Sequence, residues 1–91
     1  MVRWGKEKDE WLRAHRGISF QEIANHIIEG DFLACLENPS RAGQDVFVLW
    51  IRGYTWVVPF VIENDRELFL KTAFPSRKFH RRYGVSHGQK N

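Results

Sequence analysis

The chain has 91 residues, 43% of them hydrophobic with four Trp and seven Phe, which is enough for one packed core and too little for a two-domain enzyme with a deep cleft. Its net charge of +3 is unevenly spread: residues 1–67 carry eight Lys/Arg against eleven Asp/Glu (−3), and residues 68–91 carry six Lys/Arg and no acid (+6). One cysteine, Cys35, excludes an internal disulfide and a thiolate-rich metal cluster, and no run nears the ~18 apolar residues of a membrane span, so a soluble, cytoplasmic protein is expected.

The opening, MVRWGKEKDEW, lacks the apolar stretch of a signal peptide. Residues 3–16 read as a polar helix with a narrow stripe of Trp4, Trp11, Leu12 and His15, ended by Gly17. Ser19-Phe-Gln-Glu22 is a capping box, in which hydroxyl and carboxylate satisfy the free amides of a helix start reciprocally. Phe20, Ile23, Ala24, Ile27 and Ile28 follow at helical spacing, and Gly30 closes that second helix.

Beyond Gly30 the period changes. Asp31–Glu37 is a short strand, with Cys35 expected as a packed small hydrophobe. Residues 38–44 (NPSRAGQ) have turn composition and form an exposed loop. Val46–Arg52 is apolar on both parities, as in a central strand covered on two sides. Gly53 turns the chain into a strand over Tyr54–Ile62, where Pro59 argues for a bulge or an unpaired edge. Tyr54, Trp56 and Phe60 share a parity and are read as core rather than as a base-stacking stripe. Residues 63–66 form a hairpin loop before a last strand over Glu67–Phe74. Alternation there places Glu67, Phe69, Lys71 and Ala73 on one face, and Leu68, Leu70, Thr72 and Phe74 on the other. Pro75-Ser76 breaks it, Arg77–Tyr83 is a short helix or irregular strand, and residues 85–91 are a flexible tail after a single domain, 1–84.

Two helices followed by an antiparallel meander define an α+β domain. Both helices lie on one face of a three- to four-stranded antiparallel sheet, a short basic segment follows, and the second sheet face is left open for function.

There is no phosphate-binding glycine loop and no nucleophile elbow. The four His (15, 26, 80 and 87) are scattered, so no metal and no cofactor is expected. His26 is expected on the surface and His15 in a helix–sheet seam. The basic end is the candidate site. Metal-independent RNA cleavage needs proton removal from a 2′-hydroxyl, stabilisation of charge on the phosphate oxygens and protonation of the departing oxygen. Lys71, Arg77 and Arg81 suit the second task, and His80 or Tyr83 the proton transfers. Lys78, Arg82 and Arg52 are candidates for RNA binding. The same residues also fit a non-enzymatic module that docks RNA or an acidic protein.

Two stretches together resemble the toxins of BrnT-type bacterial toxin–antitoxin pairs. Trp4, Lys8, Gly17, Ile18, Ser19 and Phe20 fit the pattern W-x3-K-x8-G-[IV]-S-F, and GYTWVVPFV with ELFLKTAFPSRK is similar to the family's C-terminal half. The resemblance spans roughly residues 4–83. It implies a RelE/ParE-like fold, a ribonuclease (mRNA interferase) acting on mRNA, free or on the ribosome, and neutralisation by a cognate antitoxin in a higher-order complex. The family's basic residues map onto Lys71, Arg77, Lys78, Arg81 and Arg82. Three positions depart from the pattern: His15-Arg16 stands where Lys-His is usual, and Leu12 replaces an Asn. The wider superfamily also contains poisons of DNA gyrase, which keeps that target open.

Overall fold

A computed structural model describes residues 1–38, 40–64 and 66–84. In chain order the elements are β1 (Val2–Trp4), α1 (Lys6–Arg16), α2 (Phe20–Ile28), β2 (Ala34–Glu37), β3 (Asp45–Ile51), β4 (Tyr54–Glu63), β5 (Glu67–Leu70), β6 (Phe74–Pro75), α3 (Arg77–Phe79) and a π-helical turn over His80–Gly84. The fold is the expected α+β arrangement with two leading helices. The sheet is larger than expected, running β1-β5-β4-β3-β2 with β6 also on β4. It is mixed rather than purely antiparallel, because β1 pairs parallel to β5, Val2 opposite Leu68 and Trp4 opposite Leu70. Trp4, read from its spacing as helical, belongs to this strand, and α1 begins only after Gly5.

The two helices are locked to each other at their junction. Gly17 ends α1 with φ +67°, the left-handed cap that glycine adopts without a Cβ penalty. The Ser19 hydroxyl accepts from the Glu22 amide (3.1 Å), half of the expected capping box. The Glu22 carboxylate does not complete the box; it pairs with Arg52 at 2.8 Å. Asp9 of α1 accepts from the Phe20 amide at 2.8 Å, so an otherwise free N–H of α2 is satisfied across the junction.

Leu12, Ile18, Phe20 and Ile23 pack against Phe47, Leu49, Ile51, Val58, Phe60, Leu70 and Ala73 in one core. Burying each Leu, Ile or Phe contributes about 1.5–3 kcal/mol. Phe60 is fully in this core, Trp56 packs on it half-buried, and Tyr54 is half-buried at the strand's start. Strand β3 is buried on both parities, Val46 and Val48 on the second face, as a central strand should be. That second face is not open along its length: α3 and the π turn lie against β4.

The last stretch of sheet departs from simple alternation. Phe60 faces Leu70, but Val57 faces Phe74, so one extra residue is accommodated between β5 and β6. The Lys71 amide donates to the Pro59 carbonyl at 2.8 Å. In an antiparallel ladder a residue's N–H and C=O point to the same neighbour, so the donor that Pro59 lacks falls at this irregularity and costs β3 nothing. The slip reverses the parity beyond Lys71. Ala73 joins the helix-side core and Phe74 turns to the second face, opposite to the expected assignment.

Candidate functional site

The basic segment is held down by a small cluster of side chains. Ser76 caps α3, its hydroxyl accepting from the Phe79 amide, and its own amide bonds the Thr55 carbonyl at 3.0 Å. His80 shares a hydrogen bond with the fully buried Thr55 hydroxyl (3.0 Å) and stacks on Tyr54 (4.0 Å) and Trp50 (5.6 Å). Gly84 closes over the imidazole so tightly that a Cβ there would lie 2.6 Å from His80 Nδ1. His80 therefore sits half-buried as the anchor of the segment.

Arg77, Lys78, Arg81 and Arg82 are exposed on the anchored segment, and Lys71 is exposed on the strand before it. Among the described residues none of the five is ion-paired; every salt bridge involves Arg3, Arg13, His26 or Arg52. Lys71, Lys78 and Arg82 lie over the neighbouring rings of Phe69, Phe79 and Tyr83 at 5.4, 5.8 and 5.5 Å. Tyr83 is half-buried and stacks on Phe79. With no ion pair to these cations among the described residues, their positive charge is available to an external anion.

Lys71 also lines a hollow of about 400 Å³ with Asn38, Ser40, Arg41, Gln44, Thr72, Pro59 and Phe74. An adjoining hollow of about 180 Å³ shares Asn38, Ser40, Pro59 and Phe74 and adds Glu37, Val46, Val57, Lys78 and Phe79. The loop after β2 forms one wall and the segment beyond β5 the other. Sequence reasoning missed Arg41, Asn38 and Gln44. They sit in a stretch of turn composition, and nothing local says that the loop folds toward Lys71.

A second cluster lies on α1. Trp11, 38% exposed, carries the His15 ring at 4.7 Å, Lys8 Nζ at 4.6 Å and Arg16 Cζ at 4.8 Å. His15 is exposed rather than seated in a helix–sheet seam, with Nδ1 bonded to the Trp11 carbonyl at 3.0 Å. Arg16 reaches from the end of α1 to the Ala73 carbonyl, linking this cluster to the irregular segment that starts at Lys71.

The guanidinium of Arg52, a candidate for RNA binding, bonds the Gly17 carbonyl and Glu22, so it joins the β3–β4 turn to the helices. One further expectation needs correction. Cys35 is exposed on β2 rather than packed, because β2 ends the sheet. Its thiol is held above the ordinary cysteine range, first by partial desolvation and then by the Asp45 carboxylate. His26 is half-buried at the end of α2, paired with Asp31 at 3.1 Å. Among the described residues no three His, Cys, Asp or Glu side chains gather as a metal site, and no helix is long and apolar enough to cross a membrane. His87 and the expected tail, 85–91, lie outside the described residues.

Fold and surface together define a class: a small α+β protein with two leading helices on one side of a mixed sheet and an exposed basic segment anchored to the other. The crystal structure of the Brucella abortus ribonuclease toxin BrnT has this fold, superposing with a TM-score of 0.64 over 82% of this chain and 94% of that one. Sequence identity is 18%, so the likeness is one of fold, and at that level it agrees with the BrnT resemblance of the sequence. No protein-family model and no curated protein matches the sequence.

Proposed function

We propose that this protein is the toxin of a type II toxin–antitoxin pair, a cytoplasmic endoribonuclease that cuts mRNA without a metal ion. The observation that carries the reading is the set of five cations without carboxylate partners among the described residues, on a fold shared with a ribonuclease toxin. In this reading Arg77 and Arg81 grip the scissile phosphate and Lys71 meets the charge that develops on its oxygens. Lys78 and Arg82 hold the flanking backbone. Of the two candidate proton carriers, Tyr83 is the freer, because the His80 ring is engaged by Thr55, Tyr54 and Trp50. A cognate antitoxin covers the basic surface with an acidic segment in a higher-order complex. Expression of wild type and Arg77→Ala in cells without antitoxin, with total RNA followed over time, tests this. Wild type should degrade mRNA, and Arg77→Ala should slow it about 10²–10³-fold, the usual loss on deleting a charge-stabilising donor. Intact RNA under wild-type induction refutes the nuclease.

One observation favours a second reading, a non-enzymatic RNA-binding module: His80 serves as a packing anchor. RNA affinity that falls steeply with salt, with no cleavage products, would select it.

A further inference from the structure

Lys71 and Lys78 each line one of the two adjoining hollows, whose walls differ in chemistry. The larger has a cation on each side, Arg41 from the loop and Lys71 from the sheet, with the polar side chains of Asn38, Ser40, Gln44 and Thr72 around it. Its volume lies in the range of ligand sites, about 300–1,000 Å³. The smaller is walled mainly by Val46, Val57, Phe74 and Phe79, with the exposed Glu37 carboxylate and the Lys78 ammonium also in its lining. Phe74 and Pro59 belong to both, so the two hollows adjoin, one polar with two cations and the other mainly apolar with one cation and one carboxylate.

The loop is preorganised by its own bonds. The Asn38 side-chain amide donates to Gln44 Oε1 (3.1 Å), the Ser40 amide donates to Asn38 Oδ1 (3.0 Å), and the Asn38 amide donates to the Gln44 carbonyl (3.1 Å). Arg41 and Glu37 are drawn into no ion pair among the described residues. Two cations in one hollow and aromatic rings with a carboxylate in the next match a flat, hydrogen-bonding ring that carries a phosphate.

We infer that the two hollows form a nucleotide subsite that holds one residue of the RNA, its phosphate between Arg41 and Lys71 and its base against Phe74 and Phe79. The inference rests on the RNA reading above for its substrate class. Glu37 sets the base preference. A carboxylate accepts two hydrogen bonds at once from N–H groups that lie side by side, and among the four RNA bases only guanine presents such a pair on its pairing edge. The parity reversal at Lys71 builds the subsite, since it turns Phe74 toward the same face as Val57.

The test is titration of the full-length, isotope-labelled chain with GMP, AMP, CMP, UMP and inorganic phosphate, followed by amide chemical shifts. GMP should bind tightest, with shifts concentrated at Asn38, Gln44, Lys71, Thr72 and Phe74. Arg41→Ala should weaken it about tenfold, as loss of a charged hydrogen-bond donor does. Glu37→Gln should bring GMP and AMP to the same affinity, and a dispersed spectrum verifies that each variant is folded. Shifts elsewhere on the molecule, no binding at millimolar nucleotide, phosphate binding as tightly as GMP, or affinity indifferent to Arg41→Ala would each overturn the subsite. The nuclease reading is judged separately. RNA cleavage without nucleotide binding here refutes only the subsite, and nucleotide binding here without cleavage refutes only the nuclease.

Discussion

Gly84→Ala should act as a wedge under the basic segment. Its new methyl carbon would meet His80 Nδ1 at 2.6 Å, Cε1 at 2.9 Å and Thr55 Oγ1 at 3.2 Å, the first two distances shorter than real Cβ contacts allow. The imidazole has no easy retreat, with Tyr54 and Trp50 stacked on it and Thr55 bonded to it. Overpacking of this kind costs about 1–3 kcal/mol, and in a domain of this size each kcal/mol lowers Tm by about 4–8 °C. Urea unfolding followed by tryptophan fluorescence measures it. The double variant Gly84→Ala/His80→Ala supplies the control. His80→Ala alone removes two ring contacts and the partner of a buried hydroxyl, for about 2–4 kcal/mol. Once the ring is gone the methyl has room, so the double variant should be less destabilised than the sum of the singles by about 1 kcal/mol or more. A Gly84→Ala protein within about 0.5 kcal/mol of wild type, or strictly additive singles, would refute the claim that His80 is fixed by its surroundings.

Three other outcomes are expected. Cys35 should alkylate more slowly than free cysteine at pH 8, with its rate–pH curve displaced to higher pH because the thiol keeps its proton longer; Asp45→Asn should recover part of the rate, since burial is the larger cause. Gly53→Ala should cost about 1–2 kcal/mol in thermal unfolding, because Arg52 and Gly53 make the two-residue turn with φ +54° and +78° and the added methyl meets no atom within 4 Å, so the loss is backbone strain alone. In filter binding of single-stranded RNA, Arg81→Ala or Arg82→Ala should each lower the slope of log affinity against log salt by about 0.7, and Arg52→Ala should leave it unchanged, its guanidinium being held by Glu22.

Signals that were local in the chain were legible. The Ser19 cap with its helical spacing, the two-sided apolar run of β3, the turn at Gly53 and the irregularity at Pro59 each follow from a few adjacent residues. So does the pile of unpaired cations after Leu70. What escaped depends on partners far away in sequence. Val2–Trp4 is too short to show a period of its own and becomes a strand only beside Leu68–Leu70. The one-residue slip after Lys71 reverses faces without any change in composition, so Ala73 and Phe74 were exchanged. His15 and Trp11 share helical spacing with Leu12, yet only Leu12 reaches the core, because α1 is rotated to present that residue. The loop over Asn38–Gln44 shows turn chemistry in its sequence, but its placement against Lys71 is set by the twist and register of strands on either side.

The parallel pairing of Val2–Trp4 with Leu68–Leu70 also governs the order in which the molecule can be assembled. During synthesis the first strand emerges early and has no place in the sheet until almost three-quarters of the chain has followed it, as the residue numbers of its partner imply. Trp4 can meet Phe20, on which it stacks at 5.9 Å, once α2 has formed, but its strand pairing waits for Leu70. A contact of such long range is entropically late in folding. The sheet of the nascent polypeptide is therefore incomplete until its basic segment is about to be made.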